Sequence, residues 1–138
     1  MIDEVRLFTD GASRGNPGPA AVCYRALTTD GDVLVEHAEC IGRATNNQAE
    51  YRALLLGLVA CRSFTTGRVR CELDSQIVVS QLTGQFRTKN AELLALRNAV
   101  RDAANAFADV SYRQRPRSLP DIARADALAN QALDACTA

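Results

Sequence analysis

EVRLFTDGASRGNPGPA, residues 4–20, is the stretch on which the reading of this chain turns. Val5, Leu7 and Phe8 form an apolar run that delivers the carboxylate of Asp10. The run then meets Gly11, Gly15, Asn16, Pro17 and Gly18, whose turn chemistry predicts that the strand stops there. One acid is thus left at the open end of a buried strand. Glycines also let backbone N–H groups approach a ligand closely. Asp before Gly is ordinary turn chemistry, so the remaining sequence has to decide between a turn and a site.

Outward from this stretch, 138 residues with 47% hydrophobic and 23% charged content predict one soluble α/β-sized domain over 1–138. No apolar run approaches the roughly eighteen residues of a membrane span, and MIDEVRLF is acidic and has no cleavage pattern, so the expectation is a cytoplasmic protein. The five cysteines, Cys23, Cys40, Cys61, Cys71 and Cys136, form no C-x-x-C pair and sit mostly in apolar surroundings. They read as buried reduced thiols rather than a disulfide frame or a zinc site. Sixteen basic residues balance sixteen acidic ones, which argues against a binder that relies on diffuse attraction to phosphate. All basic residues but Lys89 are arginine, a side chain suited to planar, bidentate contacts, although a GC-rich genome gives the same bias. Arg113, Arg115, Arg117 and Arg124 face only Asp121 within their stretch, a local positive excess.

Along the chain, Ala20–Leu27 reads as a strand, Asp30-Gly31 as a hairpin turn, and Val33–Ile41 as the partner strand. His37, the only histidine, has no ligand at metal spacing and reads as a surface strand residue. Thr45–Ser63 opens with cap-forming Thr45, Asn46 and Asn47 and continues with helical spacing. Glu50 lies in its first two turns, at the margin of the apolar face. Arg68–Leu73 is a short strand ending at Asp74, followed by a short helix from Ser75 to Leu82. A long amphipathic helix spans about Ala91–Phe107, a last strand Asp109–Tyr112, and a final helix carries Asp126 near its start. Tight turns make the first three strands antiparallel, and a helical crossover makes the next one parallel to the first, so the sheet is mixed.

Asp10, Glu50, Asp74 and Asp126 each follow a strand or open a helix. In such α/β sheets, ligands gather beyond the carboxyl ends of parallel strands. Each acid alone is better read as a helix cap or an arginine partner. All four in this order point to a shared hard cation, Mg²⁺ or Mn²⁺, because close carboxylates repel one another unless a cation neutralises them. A pair of such ions can clamp the attacking and leaving oxygens of a phosphodiester.

The blocks TDGASRGNPGPA, ATNNQAEYRALLLGL, LDSQ and ARADALANQALD closely resemble the type 1 ribonuclease H (ribonuclease HI) family, in order and spacing over almost the whole chain. The resemblance implies a three-layer ribonuclease H-like α/β fold with a five-stranded mixed sheet. It implies an endoribonuclease that hydrolyses the RNA strand of RNA–DNA hybrids, leaving 5′-phosphate and 3′-hydroxyl ends. By motif position, Asp10 bridges two metal ions, Glu50 and Asp74 complete one site, and Asp126 helps hold the ion that activates water. Ser13, Gly15, Asn16, Asn46, Asn47 and Gln76 match family positions at the minor groove, where hybrids are read through shape and the 2′-hydroxyl. Arg43, Thr45 and Asn90 resemble the pocket for a DNA-strand phosphate, and Thr45 at a helix start suits an anion on its own account. Their alternative role is capping and turn formation.

The chain departs from the family in several places. QFRTKN leaves no room for the basic helix and handle of many relatives, Phe86 replaces a common Trp, and Ile122 stands where an Asn often precedes the last aspartate. The loop before Asp126 has no histidine, so Arg115 or Arg117 is the candidate for steering phosphate or releasing product. The expected partner is RNA–DNA hybrid, with double-stranded RNA as a second candidate, bound by a monomer. Two rival readings are a non-catalytic module on the same fold, whose mark would be a lost carboxylate, and a phosphate-binding enzyme built on GNPG. The second lacks a P-loop lysine.

Overall fold

The computed structural model describes residues 1–138. Its elements run β1 (Glu4–Ser13), β2 (Gly18–Leu27), β3 (Val33–Ala44), α1 (Asn46–Cys61), β4 (Arg68–Leu73), α2 (Gln76–Leu82), α3 (Ala91–Ala104), β5 (Asp109–Gln114) and α4 (Pro120–Thr137). The strands form one sheet in the order β3-β2-β1-β4-β5. Pairing is antiparallel from β1 through β3 and parallel from β1 to β4 to β5. This is the mixed sheet that two tight turns and two helical crossovers require. Helix α1 packs on β1 and β2, α3 packs on α1, and α4 covers β1, β2 and β3.

The alternation of β1 sorts its side chains between those two helical layers. Val5 and Leu7 join Tyr51, Leu54 and Leu58 of α1 in the main core, each fully buried. Phe8, on the opposite face, packs against Ile122 of α4. Each such aliphatic or aromatic side chain contributes about 1.5–3 kcal/mol of transfer free energy. The start of α1 is fixed by a capping box. Thr45 Oγ1 accepts the Gln48 N–H at 3.1 Å, and the Thr45 N–H donates to Gln48 Oε1 at 2.8 Å.

Three expectations need correction. The strand does not stop at Gly11, because β1 continues to Ser13 and still pairs with β2 there. Gly11 is demanded by packing: a Cβ at this position would lie 2.2 Å from the Ala49 carbonyl carbon of α1. Asp126 is not near the start of α4, which begins at Pro120 and places it almost two turns in. The cysteines are not all thiols, since Cys40 of β3 and Cys136 in the last turn of α4 form a disulfide across 96 residues of sequence. Their partnership depends on α4 lying over β3, which local sequence spacing does not encode. Cys23, Cys61 and Cys71 are the buried thiols expected. Burial pushes Cys23 and Cys61 up to about 12. Boundaries also moved: β3 and β5 run on to Ala44 and Gln114, and α3 ends at Ala104 rather than Phe107. His37 is an exposed strand residue beside Glu39, as read.

Candidate active site

The sheet register brings the first two acids together. Phe8 of β1 pairs with Glu72 of β4, so two residues further along both parallel strands Asp10 lies beside Asp74. Asp10 shares its face with Phe8 and so points toward the α4 side. Ile122, one helical turn before Asp126, rests on Phe8, which carries Asp126 toward Asp10. Glu50 arrives from α1, anchored where that helix touches Gly11. The Gly11 N–H donates to Glu50 Oε1 at 2.7 Å. The missing side chain at Gly11 thus serves the site by letting the helix carry Glu50 over the strand.

Ligand oxygens of Asp10, Glu50 and Asp74 all lie within 4.8 Å of one another. Asp126 stands outside that group of three, yet its charge is among those acting on Asp10. Its carboxylate and carbonyl accept from Asn130 Nδ2, at 3.3 and 3.0 Å. Asn130, one turn beyond Asp126 in α4, is a residue the sequence reading missed; its only signal was the i, i+4 spacing.

Asp10 is 2% exposed and Glu50 4%, so both carboxylates are almost cut off from water. Asp10 is held well above the usual carboxylate range by burial first and the Glu50 charge second, with Asp126 and Asp74 adding to it. Burial also raises Glu50, and the Gly11 N–H works against that rise by favouring its charged form. Asp10 Oδ2 and Glu50 Oε2 are buried without a hydrogen-bond partner. Buried carboxylate oxygens so close together and unpaired are costly, and a hard divalent cation with oxygen preference satisfies both at once. The donor set therefore fits Mg²⁺ or Mn²⁺, the ions that the four acids suggested.

Arg117 supplies the cation nearest to this site. Its guanidinium meets Asp74 Oδ2 through Nε and Nη2, both at 2.9 Å, while the side chain stays 63% exposed. The Asp74 charge raises Arg117. Arg115 does not join the acids. Its Nη1 donates to Glu72 Oε1 at 2.7 Å, and Arg6 holds the other Glu72 oxygen at 3.0 Å.

The remaining candidates form a second, more exposed zone. Ser13 Oγ donates to the Ala44 carbonyl at 2.7 Å, joining the ends of β1 and β3. Gly15 has φ +137°, a conformation that favours glycine, and Asn16 Oδ1 accepts the Asn46 N–H at 3.1 Å. The glycine turn is thereby tied to the start of α1. Asn90 caps α3, accepting the Leu93 N–H at 3.0 Å. Gln48 Nε2 bonds Glu92, joining the N-termini of α1 and α3. Arg43 is exposed at the end of β3, and Asn46 lies exposed and Asn47 half-buried at the start of α1. Gln76 is engaged locally, donating to Ser80 Oγ at 2.8 Å. Thr45 and Asn90 are thus both caps, with Thr45 half-buried and Asn90 exposed.

A mixed five-stranded sheet with buried acids at the ends of its central parallel strands defines a class of α/β proteins, and known proteins of that class narrow it. The family model described as reverse transcriptase-like (RVT_3) matches residues 8–132. A curated ribonuclease HI from Halobacterium salinarum is 46% identical over 130 residues, 94% of this chain and 64% of its own length. The crystal structure of RNase H1 from the same archaeon superposes with a TM-score of 0.91 at 45% identity, covering 96% of this chain and 98% of that one. The bifunctional protein Rv2228c of Mycobacterium tuberculosis is 40% identical over 133 residues, 96% of this chain. The chain spans only 36% of that relative's length. LC11-RNase H1, whose crystal structure is in complex with an RNA/DNA hybrid, matches at 30% identity and a TM-score of 0.90, over 97% of this chain and 99% of that one. The chain belongs to the ribonuclease H family.

Proposed function

We propose that residues 1–138 act as a single ribonuclease H domain, an endoribonuclease hydrolysing the RNA strand of RNA–DNA hybrids and leaving 5′-phosphate and 3′-hydroxyl ends. The observation that carries this reading is the convergence of Asp10, Glu50 and Asp74 within 4.8 Å, with a buried, unpartnered oxygen on each of the first two. Together with Asp126 these residues would hold two Mg²⁺ or Mn²⁺ ions. When bound, such ions supply Lewis-acid stabilisation of the reacting phosphodiester and a more acidic water.

The chain's own residues do the rest. The Gly11 N–H orients one Glu50 oxygen and leaves the other facing the cluster. Asn130 fixes Asp126 so that its carboxylate cannot swing away with the exposed side of α4. Ser13, Gly15, Asn16, Asn46, Asn47 and Gln76 border the minor groove of the hybrid, whose shape and 2′-hydroxyls are read by short polar groups. Arg43, Thr45 and Asn90 receive a phosphate of the DNA strand, where the adjoining starts of α1 and α3 favour an anion. Arg117 neutralises Asp74 until the cation arrives and is then free to draw the product phosphate away. Arg115 assists by anchoring the base of that loop on Glu72. The domain works as a cytoplasmic monomer.

Labelled RNA–DNA hybrid, RNA duplex and DNA duplex, each incubated with Mg²⁺ or Mn²⁺, test the reading. Cleavage confined to the RNA of the hybrid is expected. Binding without cleavage in either metal would instead identify a non-catalytic module, and cleavage of double-stranded RNA would enlarge the substrate class.

A further inference from the structure

The sheet has one open face. Helix α4 lies over β1, β2 and β3, and on that side β4 and β5 project their alternate residues without a covering helix. Parallel register arranges these residues in rows. The row farthest from the acids is Glu4, Arg68 and Asp109, in which charges alternate. The middle row is Arg6, Arg70 and Ser111, which holds no acid. In the row nearest the acids, Glu72 stands between Phe8 and Arg113. All of these but the buried Phe8 line a trough of about 520 Å³, with Arg115 at its upper end, nearest the acids.

The acids of the trough are already neutralised. Glu72, buried beneath it, is held by Arg6 and Arg115, Glu4 is held by Arg70 at 3.0 Å and Arg68 at 3.5 Å, and Asp109 meets Arg68 at 3.6 Å, so five arginines face three acids. Arg113 is exposed and forms no ion pair. Each guanidinium has five donors and these bonds use one or two, so the middle of the trough presents spare N–H groups and surplus positive charge. The upper end adjoins the acid cluster: the Arg115 N–H donates to the Leu73 carbonyl at 2.8 Å, one residue before Asp74.

We infer that this trough binds the phosphodiester backbone of a single-stranded extension leaving the hybrid, RNA or DNA, without regard to sequence. Its chemistry selects a nucleic-acid backbone over an acidic protein segment. Only one of its lining residues is hydrophobic, so it has no apolar pocket to anchor a peptide. It also has no aromatic lining residue on which bases would stack, which removes base preference and leaves backbone contacts alone. Arginine forks suit phosphate oxygens in particular. The inference rests on the ribonuclease H reading only in taking the hybrid as the ligand of the neighbouring site.

The test compares a blunt hybrid with the same hybrid carrying a single-stranded extension on either strand and at either end. Equilibrium binding is measured in EDTA, and cleavage in Mg²⁺. Wild-type protein is expected to bind an extended hybrid about tenfold more tightly at low salt, the worth of about two phosphate contacts, with a salt slope steeper by about 1.4. Arg70→Ala combined with Arg113→Ala should erase that gain and leave blunt-hybrid binding and cleavage unchanged. Arg113→Ala alone, which strands no acid and so leaves folding intact, should erase part of it. The inference is overturned if no extension tightens binding, if the gain survives the double substitution, or if blunt binding falls equally. It is also overturned if an acidic peptide occupies the trough while extensions have no effect. Failure of blunt hybrid to bind or be cut by wild-type protein would instead strike the ribonuclease H reading itself.

Discussion

Replacing Asp10 by Asn should stabilise the metal-free protein while abolishing hydrolysis. Asp10 is 2% exposed and faces Glu50, so in metal-free protein burial and that charge disfavour its charged form in the folded state. Its folded pKa lies above its unfolded one. At low pH both states are protonated and the residue costs nothing. As pH rises past the ordinary aspartate value of 3.8, the unfolded chain gives up the proton and the folded chain retains it, so stability falls until the folded value is reached. With its folded value pushed up to about 10, Asp10 is still protonated in the folded state at pH 8, and at about 1.4 kcal/mol per pH unit above the ordinary value the folded state carries on the order of 4–6 kcal/mol there. Asn keeps the shape and cannot ionise, so the variant should melt about 10 °C higher at pH 8, on the usual relation between ΔΔG and Tm. The gap should close near pH 4. Thermal unfolding in EDTA from pH 4 to 9 reads it directly, because titrations common to both proteins cancel in the difference. Excess Mg²⁺ should reverse the order, stabilising wild type and leaving the variant nearly unmoved. A gap independent of pH, or a wild type more stable than the variant at pH 8 in EDTA, would refute the account of the buried pair.

Four further perturbations probe other parts of the molecule. Gly11→Ala should cost about 3 kcal/mol or more and lower cleavage at least as severely, because its Cβ meets α1 backbone 2.2 Å away; urea unfolding with parallel activity measurements checks both. Reducing the Cys40–Cys136 bridge should lower stability by about 4–5 kcal/mol, near the chain-entropy value for so long a loop, and the Cys40→Ser, Cys136→Ser double variant should not respond to dithiothreitol in denaturant titrations. Arg117→Ala should lower the Mg²⁺ concentration for half-maximal stabilisation by about threefold to tenfold, since Asp74 loses a competing cation worth about 1 kcal/mol at its exposed position. The same variant should slow steady-state turnover more than a single turnover, and equal effects on both would remove Arg117 from product release. Leu58→Ala, in the fully buried face of α1, should cost about 2–5 kcal/mol by denaturant titration without changing the metal dependence.

The sequence disclosed what depends on local chemistry and connectivity. Thr45 with Gln48 announces the start of α1, and Asp30-Gly31 the β2–β3 turn, because caps and tight turns are settled by neighbouring residues. The mixed sheet followed from which strands had room for a helix between them. Gly11 misled because glycine has two uses. It reads locally as a strand breaker, yet here it makes space for a helix that arrives from residues 49 and 50. The disulfide was hidden for a related reason: Cys40 and Cys136 meet only after α4 has folded over β3, and neither neighbourhood records that meeting. Arg115 and Arg117, two residues apart in one basic loop, looked interchangeable. Arg115 directly follows β5 and is still tied to β4 by its N–H on the Leu73 carbonyl, while Arg117 lies two residues further into the loop, so one meets Glu72 and the other Asp74.

That separation explains how so many arginines serve one small chain without net charge. Of the four arginines between residues 113 and 124, Arg115, Arg117 and Arg124 are each committed to an acid on another element: Glu72, Asp74 and Glu36. The local positive excess seen in sequence is therefore spent across the fold, and what remains is set by burial. Glu72 lies under its two arginines and is locked, since removing either partner would leave one oxygen of a buried carboxylate without its cation. The Arg117 contact with Asp74 is half in water and weak, so a divalent cation entering between the acids can displace it at little cost. A buried pair for holding the loop and an exposed pair for yielding the site are the two arrangements that make one basic segment both fixed at its base and responsive at its tip.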